Sequence, residues 1–158
     1  MNAGPTARTP YLRLQADYIG RVGVEVGIFV AVDHLRRKSL LTPEEEELYF
    51  DIDDWFREHL PEPPFYADGN SIGAVTWFKR AAADAMLARL EPLRDLLTVY
   101  GVRCDLVRAS DPGTLVYEDE YQVGVIPRVR KPATPLPPGV VLGPTTPGSK
   151  RHLARRPD

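Results

Sequence analysis

The sequence predicts a single α+β domain, an antiparallel sheet of three to five strands with about three helices packed on one face. Three observations lead there. Apolar residues alternate at period two towards both ends of residues 11–126, and recur at three- and four-residue spacing in between. Clusters of Gly, Pro, Asn and Asp separate these segments. The chain has 158 residues, 43% of them hydrophobic, which suits one core rather than two.

The elements follow in order. Residues 1–10, "MNAGPTARTP", are small and polar with two prolines and read as a disordered N-terminus. In "YLRLQADY" Leu12, Leu14, Ala16 and Tyr18 share one face of a strand. Val22, Val24 and Val26 alternate again, so a turn at Gly20-Arg21 makes a hairpin. From Gly27 the period lengthens. Ile28, Ala31, Val32 and Leu35 line one side of a helix, with Asp33, Arg36 and Arg37 turned away.

Thr42-Pro43-Glu44-Glu45 opens a second helix. Thr42 can cap it, Pro43 suits its first position and Glu45 can complete a capping box. Its buried stripe is Leu48, Ile52, Trp55 and Phe56, and the prolines of "PEPP" end it. A third helix is carried by Met86, Leu90, Leu93, Leu97 and Tyr100. Pro92 should kink or divide it, and Gly101 suits a left-handed cap. "VRCDLVRA" is a strand with Val102, Cys104 and Leu106 inward, followed by a turn at "SDPG". "TLVYEDEYQVGVI" is one long strand, or two joined at Glu118-Asp119-Glu120.

Charge divides the chain. Residues 1–126 hold 13 Lys and Arg against 21 Asp and Glu, whereas residues 127–158 hold seven bases, one acid and eight of the 16 prolines. The second part reads as a basic, proline-rich tail, linker-like apart from Val140, Val141 and Leu142. An acidic body argues against duplex nucleic acid as a partner of the fold, so nucleic acid is expected only through the tail. The apolar run around residues 26–32 is far short of the roughly 20 residues of a membrane span, and the N-terminus lacks a signal-peptide core. With Cys104 alone no intrachain disulfide can form, which fits a cytoplasmic protein. The 16 arginines against four lysines suggest a GC-rich, bacterial coding sequence.

Two stretches are candidates for function. "FYADGNSIGAVTWFKR", residues 65–80, gathers Tyr66, Asp68, Asn70, Trp77 and Lys79 on a short connection between packed elements, the kind of loop that carries binding or catalysis. The same Asp, Gly, Asn and Ser are also what any turn uses, and "AVTWF" reads as helix or as short strand. On the second helix Glu47, Asp51, Asp54 and Glu58 recur at four, three and four residues, so the four carboxylates share one face. Residues 42–60 contain eight acids and, among Lys and Arg, only Arg57. Such a face either solvates the fold or docks a basic group.

Other chemistry is poorly represented. No His pair has metal-ligand spacing, Cys104 has no thiol partner, and neither a phosphate-binding Gly-rich loop nor a Gly-x-Ser-x-Gly elbow occurs. Asp119 would lie on an apolar strand face if residues 114–126 were continuous, and in a turn if they were not. The sequence therefore implies no metal or cofactor. The leading expectation is a non-catalytic interaction or regulatory protein that binds a protein with a basic surface through the acidic helix. The alternative is a small metal-independent enzyme using the 66–79 loop with an acid such as Asp119.

Overall fold

The computed structural model describes residues 9–135, so the predicted disorder of residues 1–8 and the patch at Val140, Val141 and Leu142 lie outside the described residues. Six strands and three α-helices form one antiparallel α+β unit, one strand more than the upper expectation.

The first hairpin joins β1 (Tyr11–Ile19) to β2 (Glu25–Gly27). Leu12, Leu14, Ala16 and Tyr18 are buried as their alternation requires. β2 is short because Gly20–Val24 closes on itself, Gly23 N donating to Gly20 O and Gly20 N to Val24 O. Helix α1 (Ile28–Arg37) buries Ile28, Ala31, Val32 and Leu35. It also buries Asp33, which the sequence pattern turned outward. Arg36 and Arg37 each reach the Asp33 carboxylate at 2.7 Å, so the charge enters the core edge already paired.

Helix α2 (Pro43–His59) begins with the predicted capping box, Glu45 N to Thr42 Oγ1 at 3.1 Å and Thr42 N to Glu45 Oε1 at 2.9 Å. A 3-10 helix (Pro64–Asp68) follows and ends at Gly69, whose φ is +72°. "AVTWF" then resolves as strand β3 (Val75–Lys79), which accounts for the extra strand. Helix α3 (Arg80–Val99) starts directly after it and runs unbroken through Pro92. The predicted division does not occur. The missing N–H costs one bond on the exposed side at Ala88, while Leu90, Leu93 and Leu97 clamp the buried side. β4 (Cys104–Ala109), β5 (Thr114–Glu118) and β6 (Gln122–Ile126) complete the sheet, with the turn between the last two at Asp119.

β1 is the axis of the sheet. One edge pairs with β4 along Tyr11 to Ala16. The other edge is shared, with β3 at Tyr11 and Leu12 and β2 from Gln15 onward, and β3 continues to β6 and β5. Leu14, Ala16 and Tyr18 pack under the three helices in one apolar cluster that includes Leu35, Phe50, Leu90 and Leu97. Of the basic tail, residues 127–135 are described: Arg128 bonds to Asp111 and Gly113, and the segment from Arg130 to Thr134 runs along the β1–β2 hairpin. Lys131 N donates to Gly23 O, and Thr134 and Ile19 exchange bonds of 3.0 and 2.9 Å. No described helix is long and apolar enough to cross a membrane.

Candidate functional site

The shared edge of β1 leaves an opening in the sheet. Between Leu12 and Gln15 neither β2 nor β3 is in register with β1, and a cavity of about 130 Å³ fills the wedge. Arg13 lines it, with Tyr66, Asn70, Thr76 and Trp77 from the predicted loop on one side and β2 on the other. The residues of 66–79 thus divide by role. Asn70 is fixed by the loop itself: it is 2% exposed, at φ +55°, and its Nδ2 donates to Ala74 O while its Oδ1 accepts from Ala74 N, both at 2.8 Å. Tyr66 and Thr76 hydroxyls are 3.3 Å apart at the cavity wall. Trp77 is half-buried. Asp68 is exposed at the end of the 3-10 helix, and Lys79 is ion-paired to Glu118 at 2.6 Å; neither lines the cavity.

Arg13 is the residue that sequence reasoning missed. Its Nη1 donates to Gln15 Oε1 and to Glu25 O, each at 2.8 Å. Burial brings the guanidinium down to about 10, with Tyr66, Glu25 and Cys104 acting in the opposite direction, so it is charged at neutral pH. Glu25, the carboxylate that acts on it, pairs directly with Lys131 at 3.2 Å. The walls of the cavity are tied across by two other arginines. Arg130 donates to Val22 O at 2.7 Å and to Gly73 O at 3.3 Å, and Arg21 donates to Gly69 O at 3.1 Å. Two left-handed glycines make room for Arg130: a Cβ on Gly23 would stand 2.7 Å from its Cβ, and one on Gly73 2.5 Å from its Nη1.

The acidic face of α2 is the second candidate. Glu47, Asp51 and Glu58 are exposed and Asp54 is half-buried, so the four carboxylates do lie along the outer side. Asp51 and Glu58 make no hydrogen bond or ion pair among the described residues. Two other acids of the helix are committed elsewhere: Glu45 to its cap, where the Tyr100 hydroxyl also approaches it, and Asp53 to Arg57 at 2.9 Å. Beside the stripe lies a groove between α2 and α3, lined by Leu48, Ile52, Trp55, Ala85, Ala88 and Pro92 together with the charged Asp51 and Arg89. The Trp55 ring stacks on His59 at 4.1 Å, and Arg89 lies 4.3 Å from its centre.

Two further groups are structural. Asp119 Oδ1 accepts from the backbone N–H of Tyr121 and Gln122, and Oδ2 from the Tyr117 hydroxyl and Gln122 Nε2. Burial pushes this carboxyl up, but the four donors outweigh it and hold it below its ordinary value. Burial raises the Cys104 thiol to about 11, which leaves it a poor nucleophile at neutral pH. Among the described residues no three His, Cys, Asp or Glu side chains group to hold a metal ion. No protein-family model, curated protein or solved structure matches this chain.

Proposed function

We propose that this protein is a non-catalytic interaction protein that engages a basic partner through the acidic face of α2. The observation that carries the reading is the juxtaposition of unpaired Asp51 and Glu58 with the apolar groove between α2 and α3. Carboxylates flanking an apolar trough suit a basic amphipathic segment, whose apolar side would rest on Trp55 while its cations meet the stripe. Arg89 also lines the groove and lies over the Trp55 ring, so a docking segment would have to displace it from that ring.

The enzyme alternative would want Asp68, Lys79 and an acid such as Asp119 around one pocket. They line neither the wedge cavity nor the groove, and Asp119 has its acceptor sites filled. The test uses a synthetic amphipathic Leu/Lys peptide and the fluorescence of Trp55 in a Trp77→Phe background. Wild type should bind it with an affinity that falls steeply with salt, because exposed charges are screened over about 8–10 Å. Asp51→Lys with Glu58→Lys should abolish that binding while leaving the unfolding midpoint nearly unchanged. Equal, salt-insensitive binding by the reversed variant would refute the proposal.

A further inference from the structure

The wedge cavity holds a cation with no direct ion pair among the described residues, Glu25, the carboxylate that acts on it, being turned to Lys131. Arg13 Nη1 is occupied by Gln15 and Glu25 O, but Nε and Nη2 have no acceptor among the described residues, and no carboxylate pairs with the guanidinium. Around it the cavity is largely apolar, formed by Leu12, Leu14, Phe29, Trp77 and Phe78. Arg13 is half-buried, so its Nε and Nη2 stay open to a charged acceptor entering the cavity. Gly27 keeps the space in front of Nη2 open, since a Cβ there would stand 3.2 Å from that nitrogen. Nε and Nη2 together form the edge of the guanidinium that accepts both oxygens of a carboxylate.

We propose that the wedge between β2 and β3 is a binding site for a small organic acid, its carboxylate on Nε and Nη2 of Arg13 and its apolar ring in the cavity. Size selects the ring. A cavity of about 130 Å³ is close to the roughly 150 Å³ that accommodates benzene in an engineered protein core. The bridges from Arg130 to Val22 and Gly73, and from Arg21 to Gly69, tie hairpin to loop across the cavity, which favours a free acid over the end of a peptide chain. This site is separate from the α2 face and does not depend on the reading given to it.

The probes are benzoate, benzyl alcohol, acetate and the tripeptide Ala-Ala-Phe, titrated into the full chain by calorimetry, with NMR shifts at residues 74–78 reporting location. Benzoate should bind there, and more tightly than benzyl alcohol by about tenfold to a hundredfold, the range of a charge-assisted pair. Acetate, with no ring, should bind more weakly than benzoate. Arg13→Gln should remove the preference for benzoate over benzyl alcohol while keeping the ring bound. Arg13→Lys, which retains charge but not the planar fork, should keep only part of it. If Arg13→Gln does not fold, the wild-type comparison and Arg13→Lys decide. Benzoate binding no better than benzyl alcohol, no shift at residues 74–78, or a preference for the tripeptide would each overturn the proposal.

Discussion

Replacing Asn70 by alanine should destabilise the domain more than any surface change in the same loop. The side chain is 2% exposed and closes a ring with Ala74, itself 2% exposed, through two bonds of 2.8 Å. Alanine leaves the N–H and the C=O of Ala74 without those partners, at about 1–3 kcal/mol each when no water replaces them. It must also hold the left-handed φ of +55°, which costs an ordinary L-residue about 1 kcal/mol or more. Partial access of water from the cavity lowers the sum, so the expected loss is about 3–5 kcal/mol. At a urea m-value of about 2 kcal/mol/M the midpoint should fall by roughly 2 M. Asn70→Gly removes both bonds but relieves the backbone, so it should recover about 1 kcal/mol of that loss. Equilibrium urea unfolding of the three proteins is the assay. A loss below about 1 kcal/mol for Asn70→Ala, or a glycine variant less stable than the alanine one, would refute the reasoning.

Three other outcomes follow from single contacts. A chain ending at Ile126 should melt about 6–10 °C below one ending at Pro135, because it loses the Arg130, Lys131 and Thr134 bonds to the hairpin and the 70–73 turn, worth about 2 kcal/mol net. Equal melting would mean that residues 127–135 add nothing to the fold. Thr42→Ala should cost about 1 kcal/mol by removing half of the capping box, and Thr42→Ser should restore most of it in the same thermal melt. Asp119 is held low when folded, so its contribution is complete above the unfolded carboxylate pKa of about 4 and is lost as pH falls through the lower folded value. The urea midpoint of wild type should therefore drop more steeply than that of Asp119→Asn between roughly pH 5 and pH 2, and parallel profiles would contradict this.

Local chemistry was legible and non-local geometry was not. Thr42, Pro43 and Glu45 announce a helix start because every group in the cap lies within four residues, and the cap forms as read. The alternation of Leu12, Leu14, Ala16 and Tyr18 likewise survives into the core. Asp33 was misjudged because its burial depends on two arginines folding back over it, which polarity at one helical position does not reveal. The division expected at Pro92 does not occur because its cost falls on the exposed side of a helix whose other side is fixed by leucines. The loop at residues 66–79 was found from its turn chemistry, yet most of its polar residues serve the fold. The Asn70 clamp and the Lys79–Glu118 pair need structure to be told from ligand contacts. Arg13 left no local signal. In sequence it is an outward residue of an alternating strand, and its place in a cavity depends on β2 and β3 sharing one edge of β1. The only hint was three glycines, Gly20, Gly23 and Gly27, around so short a second strand.

The central claim is that the outer side of α2 is a recognition surface, and residue-resolved NMR tests it most directly. On titration with the amphipathic Leu/Lys peptide at low salt, shifts should concentrate at Asp51, Trp55 and Glu58 and at Ala85 and Ala88 across the groove, and should collapse when salt is raised. Shifts confined to residues 74–78, or absent from α2 while binding persists, would contradict it.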